Sequence, residues 1–208
     1  MSSYKVKLTF TNRVLGTIAG DKEIFGNFIR SKAPDEKDTS DEAETLPDFG
    51  EEMARGTTGF HRVDGTPILY DYQIKGFFKD ACGMLRRADD TASKGLKAYK
   101  KEIDGLIFVH PRQLKLTMPE GGAITFVERP LRAQTPQGER VALARSEAVP
   151  AGTTLEFTLT ILKDNLHEYA CEWLDYGTLR GLCQWRNAGN GTFDYTIEEV
   201  KPGKIVEN

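Results

Sequence analysis

Between Gly177 and Phe193 the chain reads GTLRGLCQWRNAGNGTF, a stretch that gathers Arg180, Trp185, Arg186, Asn187, Gly189 and three further glycines. Glycine loses more chain entropy on folding than any other residue, so such a cluster implies a backbone that turns with positive φ or lies close to a ligand. The two arginines imply that the ligand is an anion. Two other groups carry the same chemistry. Lys75 and Lys79 stand early in a helical pattern, where unpaired N–H groups and the macrodipole favour anions, and Tyr72 precedes them. Arg129, Arg132, Arg140 and Arg145 follow one another along a poorly periodic segment and can track a strand's backbone. Cations for phosphates, free N–H donors and flat rings (Trp185, Tyr72) for unstacked bases are what single-stranded nucleic acid requires. A long surface turn with Trp185 capping the core, and ordinary solvated charges elsewhere, account for the same residues.

These side chains need elements to position them. Tyr4 to Thr11 alternates apolar and polar residues and reads as a half-buried strand, as does Thr154 to Ile161. Phe60 to Val63 and Thr66 to Tyr70 flank Asp64-Gly65, a dipeptide suited to a tight hairpin. Asp71 is expected to cap a helix whose stripe is Ile74, Phe77, Phe78, Ala81, Cys82 and Leu85, and Gly76 in its first turns implies the close approach of another backbone or a ligand. A second helical run covers Ser93 to Ile103 and ends at Gly105. Leu106 to Val109 and Leu114 to Met118 read as strands, with Gly121-Gly122 turning a hairpin into Ala123 to Glu128. Asn165 is positioned to cap a third helix carrying Leu166, Tyr169, Ala170, Trp173 and Leu174, and Phe193, Tyr195 and Ile197 mark a last strand. A short helix is expected at Asp21 to Arg30.

The bounds are those of one domain, with 208 residues and a formal charge of -3. That charge is uneven. Ser31 to Glu52 holds nine acids against Lys32 and Lys37, a net of -7, which leaves +4 on the other 186 residues. So few apolar residues cannot offset ordering entropy, and the segment reads as a mobile acidic insertion. No apolar run approaches the roughly 18 residues of a membrane span, and the first ten residues lack a secretory pattern, so the expected setting is the cytoplasm, without a membrane partner. Cys82, Cys171 and Cys183 show no CxxC spacing and read as reduced, buried thiols. Without the insertion the order is β-α-β and β-α-β, an α+β fold of ferredoxin-like (RRM-like, split β-α-β) type: an antiparallel sheet with helices on one face, plus an acidic loop and a β-arm.

Four stretches carry a resemblance. A first strand followed by a long insertion, PILYDYQIKGFFKDA (Pro67 to Ala81), VERPLRAQTPQGERVALARSEAVPAGTTLEF (Val127 to Phe157) and the loop Gly177 to Phe193 resemble, in that order, the RAMP superfamily. Within it the chain is similar to the backbone subunits of CRISPR effector complexes, which polymerise along a guide RNA, and to phage or prophage proteins of this size. The resemblance implies a single RAMP-like domain over residues 1–208, with its insertion at 31–58 and its arm at 123–150. It implies single-stranded RNA, or DNA, as partner, and a homo-oligomer or a place in a ribonucleoprotein complex. Tyr72 and Gln73 stand where the family carries hydroxyls, and the insertion is acidic. Those departures motivate a second reading, a phage-encoded protein-docking or anti-defence module that binds no nucleic acid.

A catalytic reading has less to build on. His61 with Asp64, or acids of the insertion holding a metal, would make a ribonuclease, while His110 and His167 stand isolated. The chain has no P-loop, HExxH, nucleophile elbow or paired metal-ligand motif. A binding protein without catalytic residues, metal or cofactor is therefore the expectation.

Overall fold

The computed structural model describes residues 1–20, 56–135 and 138–200. The expected helix at 21–30 and the acidic insertion lie outside these residues, except that the last part of the insertion's expected range enters a strand. Strand β1 (Ser2–Phe10) puts Val6, Leu8 and Phe10 into the core and leaves Lys5, Lys7 and Thr9 outward, as its alternation dictates. The next two strands are short, β2 (Val14–Leu15) and β3 (Ile18–Ala19), and β4 spans Thr57–Gly59. The Asp64-Gly65 turn forms as expected, with φ of 50° and 75°, between β5 (His61–Val63) and β6 (Thr66–Tyr70).

Helix α1 (Asp71–Leu85) buries Ile74, Phe77, Phe78, Ala81 and Cys82. Its cap differs from expectation. Tyr70 is the N-cap, and its N–H donates to Gln73 Oε1 at 2.7 Å, so Asp71 is the first helical residue instead of the cap. The helical run at 93–103 is also broken. Ala92–Gly95 forms a single 3-10 turn, and α2 (Tyr99–Leu106) follows, running past Gly105. At the start of the turn Glu172 accepts from the N–H groups of Ala92 (2.7 Å) and Ser93 (3.0 Å), while Trp173 Nε1 donates to Ser93 Oγ at 2.9 Å. Those contacts satisfy donors orphaned at the N-terminal end of the turn.

Strands β7 (Ile107–His110) and β8 (Gln113–Thr117) follow, then β9 (Thr125–Thr135) and β10 (Gly138–Val149). The Gly121-Gly122 hairpin is not formed: β8 pairs with β6 and β11 (Thr154–Ile161), whereas β9 pairs with β10. Gly121, at φ 73°, carries the chain from one sheet to the other. The Arg-rich segment is thus a regular antiparallel ribbon. Helix α3 (Leu166–Arg180) buries Leu166, Ala170, Trp173 and Leu174, and Asn165 sits at its cap position without a side-chain cap bond. It also absorbs the first four residues of the glycine-rich stretch. Strand β12 (Phe193–Val200) exposes Asp194, Thr196, Glu198 and Glu199.

The product is α+β. One sheet runs β12-β1-β11-β8-β6-β5 with β7 also on β11, and the other runs β2-β10-β4-β3 with β9 on β10. Both β11 and β12 are antiparallel to β1. α1 and α3 share one apolar core with the alternate residues of β1, β8 and β11. Among the described residues no helix is long and apolar enough to cross a membrane.

Gly177 shows how tightly this core closes. A Cβ there would lie 2.2 Å from the Phe193 ring and 2.8 Å from Phe77. Gly177→Ala is expected to cost about 1–3 kcal/mol, the usual range for overpacking, read as a lower midpoint in urea denaturation.

Candidate nucleic-acid interface

The loop from Gly181 to Thr192 is held by backbone hydrogen bonds and by the side-chain amides of Gln184 and Asn190. Leu182 N–H donates to Gly191 O at 2.9 Å, and Gly191 N–H to Arg13 O at 2.9 Å. At these separations a side chain would not fit: a Cβ on Gly181 would meet Asn190 O at 2.4 Å, and one on Gly191 would meet Leu182 O at 2.0 Å. Close approach of chain to chain therefore explains two of the glycines. Gln184 Nε2 faces Thr58 Oγ1 (2.5 Å), Ser146 Oγ (2.9 Å) and the carbonyl of Gly16, which anchors the loop to the second sheet. Arg13 Nε donates to Asn190 Oδ1 at 3.0 Å, and Asn190 Nδ2 donates to Trp185 O at 3.1 Å.

This frame holds Trp185 in the left-handed region (φ 52°, ψ 34°), ahead of a 3-10 turn, Arg186–Ala188, closed by Gly189 at φ 76°. Asn187 and Gly189 are exposed. Arg180 donates to Asn187 Oδ1, and Arg186 pairs with Asp80 of α1 at 2.7 Å. The Arg129 guanidinium lies 5.7 Å from the centre of the Trp185 ring, which brings the β9 ribbon onto the loop. Arg129, Arg180, Trp185, Arg186, Asn187 and Gly189 thus form one assembly.

The other expected residues divide. Arg145 lies over the Phe126 ring at 4.1 Å with Nε 3.5 Å from Glu128, and alternation puts it on the ribbon face opposite Arg129. Arg132 is exposed and shares the face of Glu128. The backbone of Arg140 pairs with Ala133, and its side chain lies outside the described residues. Lys75 and Lys79 are turned toward α2. Lys75 Nζ donates to Asp104 O at 3.0 Å and sits 5.3 Å from the Phe108 ring centre, while Lys79 pairs with the Asp104 carboxylate at 2.5 Å. Both lysines engage the C-terminal end of α2. Burial pushes the Lys75 pKa down, against the opposing pull of Asp104.

Tyr72 remains outward, 44% exposed, its ring stacked on buried Tyr70 with centroids 5.5 Å apart and planes 9° from parallel. Gly76 is exposed, and a Cβ there would meet nothing within 4 Å. Tyr72, Gly76 and Asp80 are spaced by four, so they line one strip of α1 that ends at Arg186. Asp80 and Gln184 were missed in the sequence. The fourfold spacing from Tyr72 was the available sign of the first; nothing local marks the second.

The residues of the catalytic alternative are placed otherwise. His61 is fully buried, edge-on to Tyr70 at 4.8 Å, and the acids of the insertion lie outside the described residues. Among the described residues no three His, Cys, Asp or Glu side chains converge as metal ligands. His167 stacks on Tyr4 at 4.3 Å.

No family model matches the chain, and no curated protein matches it. The chain does align with solved structures. A chain of the Type III-B Cmr-beta complex, solved bound to cognate target RNA, aligns with TM-score 0.54 and 14% identity over 96% of this chain. This protein spans 61% of that chain's length. A Type IV-B CRISPR complex chain aligns at TM-score 0.47 and 13% identity, covering 99% of this chain and 95% of the other. Cmr4 aligns at TM-score 0.45 and 11% identity, covering 96% and 100%. The resemblance seen in the sequence therefore holds as a likeness of fold, carried by the first of these.

All three cysteines are free thiols, and burial pushes Cys183, within the loop, up to about 12. A group so raised stays protonated through neutral pH, and only the thiolate alkylates. Iodoacetamide near pH 8 is expected to leave Cys183 unmodified in the native protein and to modify it in urea, as read by peptide mass spectrometry.

Proposed function

We propose that this chain is a RAMP-like subunit that binds single-stranded nucleic acid, RNA in preference to DNA, with copies lying side by side along the strand. The observation that carries the reading is Gly76. A glycine inside a helix costs about 1 kcal/mol relative to alanine, and no internal neighbour requires this one. A bare stretch of helix between an outward aromatic ring and an arginine suits a strand pressed against the backbone, with a base on Tyr72 and a phosphate near Arg186. The Arg129–Trp185 contact supplies a second stacking position, and the ribbon arginines add phosphate contacts.

The fold supports the same reading. We read the order β12-β1-β11-β7/β8, with α1 and α3 on one face, as the ferredoxin-like split β-α-β arrangement, and the chain as one domain with its insertion at 31–58 and arm at 123–150. The Cmr-beta chain of similar fold was solved in a complex bound to target RNA, which favours RNA as the polymer. We assign binding without catalysis, since His61 is enclosed by the core.

A second reading, a protein-docking module, draws on the internal pairing of Lys79, Arg145 and Arg186 with acids. The two readings separate on purification without nuclease. The first expects a nucleic-acid-bound oligomer that loses mass and its high ultraviolet absorbance ratio on RNase digestion; the second expects a clean protein that ignores added single strands at low salt.

The strip itself is tested at Gly76. Gly76→Leu is expected to raise stability by about 0.5–1 kcal/mol while weakening binding of a single-stranded RNA about tenfold. Gly105→Leu, on α2 with equally open space, serves as the control and should leave affinity unchanged. Equal affinity of the Gly76 variant and the native protein would remove α1 from the interface.

A further inference from the structure

The face of the main sheet turned away from α1 and α3 carries a groove of about 540 Å³ that the strip and the loop do not use. Lys7, Gln113, Lys115, Thr117, Thr154 and Glu156 line it. These are the outward positions of β1, β8 and β11, whose alternate residues Leu8, Leu114, Leu116, Leu155 and Phe157 fill the core. Register sets them in two rows. Lys7 lies opposite Glu156, and one outward step along the strands Thr9, Thr154 and Thr117 lie side by side. Lys115 is the next outward residue of β8 after Thr117.

The chemistry of the rows is complementary. Glu156 is gripped by Lys5 at 3.1 Å and Lys7 at 3.4 Å, which hold its carboxyl below the usual range and keep it an acceptor. The Lys115 side chain is exposed and, among the described residues, its ammonium has no hydrogen bond or ion pair. An ammonium with donors to spare beside an ionised carboxylate and two threonine hydroxyls offers one side to an anion and the other to hydroxyl groups. The volume suits a ligand of nucleotide size. No aromatic side chain lines the groove, so a base finds no stacking partner there.

We propose that this groove binds a sugar phosphate of nucleotide size, its phosphate on Lys7 and Lys115, its sugar hydroxyls on Glu156, Thr117 and Thr154, and its base unread. The site is independent of the α1 strip. The same chemistry is offered by a free nucleotide and by the phosphorylated end of an RNA strand.

Titration of the full chain with ribose phosphate, adenosine monophosphate, uridine monophosphate and inorganic phosphate, followed by calorimetry, tests the proposal. The three sugar phosphates are expected to bind within about threefold of one another and about tenfold tighter than inorganic phosphate. Lys115→Gln, an exposed substitution, should weaken all three about tenfold, and Glu156→Gln should erase the preference over inorganic phosphate. Gly76→Leu should change none of these affinities, so this site and the RNA-binding strip fail or succeed separately. Absence of binding, discrimination between the two nucleotides, inorganic phosphate binding as tightly as ribose phosphate, or indifference to Lys115→Gln would each overturn it. In the Gly76→Leu protein, competition against uridine monophosphate by an end-phosphorylated oligoribonucleotide, and not by its unphosphorylated form, identifies a strand end; competition by neither identifies the free nucleotide.

Discussion

A single carboxamide ties the glycine-rich loop to three places on the second sheet. Gln184 Nε2 reaches the Gly16 carbonyl, Thr58 Oγ1 and Ser146 Oγ, groups from the β2–β3 turn, β4 and β10. Its neighbours leave no slack. Gly16 approaches Gly59 so closely that a Cβ would fall 2.3 Å from a backbone carbon, and Ser146 Oγ itself donates to the Gly16 carbonyl. In such a setting a buried polar network is valuable only when each member is satisfied. Beside it Glu147 is held by the Phe60 N–H at 3.1 Å and by Arg62, so the root of the ribbon is fixed by charge as well as by strand pairing. Trp185 follows Gln184 by one residue. Its strained backbone persists because the residue before it is immobilised.

That chain of dependence explains which features were legible in the sequence. β1 and β11 could be read because a sheet buried on one face writes its alternation directly into the chain, and the α1 stripe because a helix against one core repeats every three or four residues. The start of the 3-10 turn ahead of α2 could not be read, since Glu172, which holds its N–H groups, lies some 80 residues away. The same holds for Lys75 and Lys79: their place at a helix start was visible, their engagement by Asp104 was not. The Gly121-Gly122 hairpin failed for a related reason. A turn dipeptide specifies that the chain reverses, and which strand it then joins depends on partners distant in sequence.

The loop was legible as a cluster, and the positive φ that its glycines implied is present at Gly181, Gly189 and Gly191. Gly177, Gly181 and Gly191 serve internal packing, whereas Gly189 and Gly76 face open space. Sequence weighs all glycines alike, because the conformational freedom they provide is the same whether a neighbour or a ligand takes advantage of it. Of the expected cations, Arg129, Arg180 and Arg186 gather with Trp185 because the loop frame brings them there, while Arg145 falls on the far face of the ribbon through the two-residue period of a strand.

Strand β12 closes one end of the main sheet and, among the described strands, pairs only with β1. An unpaired sheet margin is a template on which another extended chain can zip, and a long apolar one invites runaway aggregation. Here Asp194, Glu198 and Glu199 stand along it, so two such margins brought together would set carboxylates against carboxylates. The chain is thereby guarded against fusing its sheets into a continuous fibre.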